Sequence, residues 1–196
     1  VLSFATVLAV VIPVPSPFDY LIVLFGVWLA FIRYSYKTLD QTAQGLLTPD
    51  QHKFYDAKER ANLPYKQFAI LMVVGFVINL AAAAGGLVYG VVLVFCTLAL
   101  PASVMNLSIT QSFWSGLNPL AAISMMRIVG LPYLGLCAFL FLLSASQGVL
   151  QSGLLPSMPE WLMLPAFNFV AMYFTLIMFN MMGYVIYQNH HLLGTS

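Results

Sequence analysis

An all-α, polytopic transmembrane helical bundle is the fold class this sequence predicts, and three observations predict it. The chain is 61% hydrophobic and 7% charged over 196 residues, whereas an ordinary globular domain carries about a quarter charged residues. So few charges cannot cover a water-exposed surface, because Lys, Arg, Asp and Glu supply most of such an exterior. Charge-free runs extend over 67–126, 128–159 and 161–189. At about 20 apolar residues per crossing, the first accommodates two crossings and the others one each. When these crossings are drawn, all seven Lys and Arg fall on one side.

The elements follow in order. The apolar stretch 1–12 is too short to span and lacks the charged start of a signal peptide, so it is expected to be the end of a truncated first helix. Pro13, Pro15 and Pro17 break it, since alternate prolines cannot continue a helix and extend their predecessors. A helix then starts near Phe18 and passes Leu21, Leu24, Trp28 and Ile32 to about Gln44, with Gly45 as its stop. Asp19 and Arg33 bracket its apolar part, about 21 Å apart at 1.5 Å per residue, and reach toward the headgroups.

Residues 46–65 are expected to form a cytoplasmic loop with a helix on the membrane surface. Thr48-Pro49-Asp50-Gln51 has the residues of a capping box, Asp56 and Arg60 form a favourable i,i+4 pair, and Phe54, Ala57 and Ala61 share a face. A crossing is predicted over 68–84, a tight connection at Ala81-Ala82-Ala83-Ala84-Gly85-Gly86, and a return over 87–109 kinked at Pro101. Gly86 and Gly90 permit close approach of another helix. Residues 112–130 read as a short interfacial or re-entrant helix, with Asn118-Pro119 as cap and first turn, Leu120, Ile123 and Met126 at helical spacing, and Arg127 at its end. Crossings over 131–150 and 161–187 complete a single domain over 1–196, joined by a loop rich in Gly153, Pro156 and Pro159. Trp161, Tyr184 and Tyr187 suit the two interfaces.

The count is then about six crossings, the truncated one included. Arg33, Lys37, Lys53, Lys58, Arg60 and Lys66 surround one loop, and Arg127 falls two crossings later on the same side. The opposite loops, 12–17, 83–87 and 151–160, contain no Lys or Arg. Cytoplasmic loops are enriched in these residues, so both termini are expected inside. The same seven side chains, helped by Tyr34, Tyr36 and Tyr55, form a docking surface for anionic headgroups or a cytoplasmic partner.

Several chemistries lack their residues. A net charge of +1 without a broad basic face argues against nucleic acid. Cys96 and Cys137 lie in apolar runs and read as packing residues, not a disulfide. No phosphate loop, nucleophile elbow or pair of catalytic carboxylates appears, so a non-enzymatic protein without cofactor is expected. His190 and His191 point about 100° apart on a helix and have no Cys, Asp or Glu nearby, and His52 reads as solvated, so no metal is expected. No charge falls at mid-depth, which argues against proton- or sodium-coupled transport.

The polar residues inside the crossings are neutral: Asn79, Ser103, Asn106, Ser108, Ser144, Gln147, Asn168 and Asn180. Interhelical hydrogen bonds account for most such residues. A sharper expectation is a polar cavity lined by Asn79, Asn106, Asn168 and Asn180. Met163, Met172, Met178, Met181 and Met182 suit adaptable packing, including against a partner.

The segments Arg33-Tyr34-Ser35-Tyr36-Lys37-Thr38-Leu39-Asp40-Gln41-Thr42-Ala43-Gln44-Gly45, Leu117-Asn118-Pro119-Leu120, and Gly183-Tyr184-Val185-Ile186-Tyr187-Gln188-Asn189-His190-His191-Leu192-Leu193-Gly194 stand out. They resemble a group of poorly characterised bacterial inner-membrane proteins, a family of unknown function. The group carries an acidic residue after the last His, which this chain lacks. The resemblance implies a six-helix bundle in a bacterial inner membrane and carries over no function. Two roles remain open. One is an accessory or scaffold subunit packed against other integral membrane proteins, in a hetero-complex or homo-oligomer. The other is a carrier or binder of a lipid or small hydrophobic molecule, anchored by the Asn cluster.

Overall fold

The computed structural model describes residues 17–46, 62–153 and 157–193. All regular structure among them is helical: α1 Pro17–Ala43, α2 Leu63–Ala84, α3 Gly86–Thr110, α4 Phe113–Leu117, α5 Pro119–Val129, α6 Leu131–Gly153, α7 Glu160–Gln188 and α8 His190–Leu193. Four helical segments are long and apolar enough to cross a membrane: Leu63–Ala84, Gly86–Thr110, Leu131–Gly153 and Pro165–Gln188. The chain is therefore an all-helical protein with the composition of a membrane bundle. The expected truncated first helix and the surface helix, with Lys53, Lys58 and Arg60, lie outside the described residues.

Local signals set several boundaries as expected. Gly45 has φ +79° and closes α1 with two reversed hydrogen bonds, Gly45 N–H to the Thr42 carbonyl and Leu46 N–H to the Gln41 carbonyl. A side chain with a Cβ resists that left-handed conformation, which is why glycine ends the helix here. Gly85 alone separates α2 from α3. The Asn118 side chain accepts from Leu120 N–H at 2.9 Å, with Pro119 in the first turn of α5. Asn118→Ala is expected to lower stability by about 1 kcal/mol, measurable as a shift in the unfolding midpoint in mixed detergent.

Other boundaries moved. α2 begins at Leu63, five residues before the expected start at 68, because Pro64 is pre-set for a first turn. Residues 63–65 therefore belong to the helix, not to a loop ending at 65. The 112–130 segment is two helices, not one. Gly116 lets α4 lie on its neighbours, since a Cβ there would press on Ile70 Cδ1 at 2.8 Å and Leu107 Cβ at 3.3 Å. Ser103 donates to the Gly116 carbonyl, so α4 turns back about 10 Å along α3 before α5 leaves. The buried face of α5 is Ala122, Met125 and Val129, while Leu120 is 71% exposed. The expected Leu120–Ile123–Met126 stripe is displaced because the contact is made at the small Ala122.

The core sits at one end of the bundle. There α1 and α7 run parallel: the Tyr36 and Phe179 rings meet edge to face at 5.1 Å, and Gly183 lies against Leu39 and Thr42. The same end receives the start of α2, the end of α3, α4, α5 and α8, as the Tyr36–Gln67 and Lys66–Gln111 hydrogen bonds show. Burial in α3 is confined to residues between Ala102 and Ser108. Toward the other end the helices turn apolar side chains outward, with Leu87 83% exposed and Phe76, Phe141 and Val149 close behind. In lipid that exposure carries no hydrophobic cost, because the chains of the bilayer are as apolar as the side chains.

Candidate functional site

The centre of the fold is a break in the hydrogen-bond ladder of α3. Pro101 has no N–H, so the Thr97 carbonyl loses its helix donor. One residue on, a side chain joins the ladder: the buried Tyr133 hydroxyl accepts from Ala102 N–H at 3.1 Å and donates to the Leu98 carbonyl. In a regular helix those two backbone groups would bond each other. Tyr133 thus ties the start of α6 to the proline turn of α3, and no water is needed to satisfy either group.

Beside this break is a hollow of about 610 Å³ between α2, α3, α6 and α7. On α6 its wall runs from Leu134 to Ser144, about 15 Å of helix. The wall is apolar, with Leu71, Leu100, Phe141 and Met178 prominent, and among the described residues no Asp, Glu, Lys, Arg or His lines it. Gln67 and Thr97 supply polar groups, with Ser144 farther along. Thr97 Oγ1 is committed to the Leu93 carbonyl at 2.8 Å. Gln67 is 5% exposed, and its Oε1 accepts from the Tyr36 hydroxyl at 2.7 Å. Gln67, Phe179 and Met182 close the hollow toward the core, while Leu134, Ala138 and Phe141 border its open side. A second, smaller hollow of about 360 Å³ lies between the middles of α2 and α3 and the Leu117–Ala122 turn.

The four asparagines are not gathered around either hollow. Asn79 is exposed and donates to the Gly75 carbonyl of its own helix at 2.8 Å. Asn106 is half-buried, and its Nδ2 has no hydrogen-bond partner. Asn180 accepts from Thr42 Oγ1 at 2.9 Å, joining α7 to α1, and Asn168 is half-buried on α7. Asn79 lies close to the Gly85 connection and Asn106 near the far end of α3, so the two differ by about 22 Å along the hairpin. The amide that lines the larger hollow is that of Gln67.

Of the seven cations, the structure describes four. Arg33, Lys37 and Arg127 are exposed, and Lys66 donates to the Gln111 carbonyl at 2.6 Å. Lys66 and Arg127 lie at the core end, which agrees with one-sided charge. Tyr34 is exposed as a headgroup contact requires, but Tyr36 is 3% exposed and belongs to the core. Tyr55 is outside the described residues. His190 packs its Nδ1 on the Tyr187 carbonyl at 2.8 Å, and the described residues contain no group of three metal-ligating side chains. Cys96 and Cys137 are free. Met182 is buried, and Met172, Met178 and Met181 pack on the core, so these methionines are used within the chain.

Tyr133 and the Tyr36–Gln67 pair are what the sequence reading missed. Pro101 inside an apolar run was the available signal, because a proline there leaves a carbonyl that some group must manage. Comparison with protein-family models, curated proteins and solved structures finds no match to this chain.

Proposed function

We propose that this chain is a non-enzymatic, multi-pass membrane protein that takes up a lipid chain or another small hydrophobic molecule between α2, α3, α6 and α7. The observation that carries the reading is the hollow of about 610 Å³, within the size range of sites for small ligands. Its walls are apolar and it is bordered on one side by exposed residues of α6, so a molecule dissolved in the bilayer reaches it without crossing water. The test is thermal unfolding of the delipidated chain with and without an added long-chain compound. Wild type is expected to be stabilised, by mass action on the folded state. Ala138→Phe, which fills the open side, is expected to lose that stabilisation. Equal response of the two proteins would refute the reading.

A second reading, an accessory subunit in a hetero-complex or homo-oligomer, is favoured by helical glycines on which no described residue packs. At Gly75, Gly86, Gly90, Gly135 and Gly148 an added Cβ would meet nothing within 4 Å, although glycine inside a helix costs about 1 kcal/mol relative to alanine. Small residues at such positions suit contact with another helix. Only monomers in mild detergent, with no co-purifying protein, would count against this reading. In either case we place the chain in a bacterial inner membrane, in line with the family resemblance, with about six crossings and both termini cytoplasmic. Anionic lipid headgroups then meet Arg33, Lys37, Lys53, Lys58, Arg60, Lys66 and Arg127. Protease access to the loop containing Lys53 to Lys66 from the cytoplasmic side only is the expected topology result. Access from the opposite side would invert it.

A further inference from the structure

We infer that the hollow selects a neutral long-chain molecule whose small polar head accepts a hydrogen bond, a fatty alcohol or a carbonyl compound, with that head against the amide of Gln67. The inference rests on the reading of the hollow as a binding site and adds the chemistry of the ligand.

Three features carry it. First, among the described residues the lining contains no charged side chain and no histidine. A carboxylate, phosphate or ammonium head would enter a low-dielectric space with nothing to neutralise it, and an unpaired charge is costly there. Among the described cations, Lys66, next to Gln67 in sequence, is turned away from this wall to the Gln111 carbonyl at 2.6 Å. Second, Gln67 is buried and lines the closed end of the hollow. Tyr36 engages its oxygen at 2.7 Å, so the NH₂ group is the donor that remains for a ligand. A buried amide donor facing an apolar space is satisfied by an acceptor and left costly by pure hydrocarbon. Third, the other polar groups are set apart: the Thr97 hydroxyl is bonded within its own helix, and Ser144 stands about 15 Å along α6 from the Leu134 end of the wall. The apolar wall running from Leu134 to Ser144 then holds about 15 Å of alkyl chain, roughly a dozen methylenes at the extended spacing per carbon.

The Tyr36–Gln67 pair also fixes the amide. Because the phenol hydroxyl belongs to a ring wedged against Phe179, the oxygen end of Gln67 is held toward α1 and the nitrogen end is directed away from it. The pair therefore positions the donor; Gln67 itself is the contact.

The test uses the full chain in nanodiscs of a zwitterionic lipid and measures displacement of a fluorescent alkyl probe by four competitors of equal length: hexadecanol, hexadecane, hexadecanoate and hexadecyltrimethylammonium. Wild type is expected to prefer hexadecanol over hexadecane by about 3- to 10-fold, the worth of one net hydrogen bond, and to bind both charged competitors more weakly than hexadecanol. Gln67→Leu is expected to erase the preference while retaining the hydrocarbon. Tyr36→Phe removes the same Tyr–Gln hydrogen bond but leaves the amide, now free to turn, so it is expected to reduce the preference without erasing it, which separates ligand contact from structural damage. Equal binding of hexadecanol and hexadecane by wild type, tighter binding of a charged competitor, or an unchanged preference in Gln67→Leu would each overturn the inference. If instead Ala138→Phe binds all four competitors as wild type does, the hollow is not the site, and the broader reading fails with it.

Discussion

Tyr133→Phe is expected to destabilise the folded chain by about 2–5 kcal/mol, although it removes a single oxygen. That oxygen bridges Ala102 N–H and the Leu98 carbonyl. Without it both backbone groups lose a partner beside the proline turn, and a group left unsatisfied costs about 1–3 kcal/mol. Water cannot substitute in an apolar surround. The size of the loss depends on Pro101. In a Pro101→Ala background residue 101 regains an N–H and the α3 ladder can close, so the added cost of Tyr133→Phe is expected to shrink. A double-mutant cycle measures that coupling, with unfolding in mixed detergent followed by circular dichroism. Amide exchange at Ala102 gives a local readout: it is expected to accelerate in Tyr133→Phe. Unchanged stability together with unchanged exchange would mean that the hydroxyl does not carry these two groups.

Gly183→Val is the second large effect, expected at about 3 kcal/mol or more. At Gly183 an added Cβ would run into the Leu39 carbonyl and come within 2.9 Å of Thr42 Cβ. Overpacking a core usually costs about 1–3 kcal/mol because side chains shift to relieve it. Here the obstacle is backbone, so α1 itself must move away from α7. That movement would also strain the Tyr36–Phe179 contact and the Thr42–Asn180 hydrogen bond. Gly148→Val serves as the control, since nothing lies within 4 Å of the added Cβ there. Thermal unfolding is expected to separate the two variants widely. Similar melting of both would show that α1 and α7 are not held by close backbone approach.

These two residues also show where sequence reasoning reached and where it stopped. The helix stop at Gly45, the cap at Asn118-Pro119 and the connection through Gly85 were legible because each is decided by residues within a few positions of itself. The membrane character was legible because it is compositional. The start of α2 lies earlier than expected because the polar residues up to Lys66 suit a loop until the partner of Lys66, the Gln111 carbonyl, is known. Tyr36 was read as a headgroup contact because a tyrosine near Arg33 and Lys37 suits an interface, and only the packing of α7 against α1 reveals it as core. The asparagines failed as a cluster for a related reason. A neutral polar residue in an apolar run can bond its own helix, as Asn79 does, or a neighbour, as Asn180 does. The sequence does not distinguish these from cavity lining. Tyr133 was out of reach because the group it repairs lies on another helix, 31 residues away.

The central claim is that hydrophobic ligand enters between α2, α3, α6 and α7. Photo-cross-linking with a diazirine-bearing hexadecanol, followed by peptide mass spectrometry, tests it most directly. Labelling concentrated on the facing walls at 97–104 and 134–144, and suppressed in Ala138→Phe, is the predicted result. Labelling spread evenly over the outward-facing residues, with Leu87, Val91 and Val149 modified as heavily as the hollow, would contradict it.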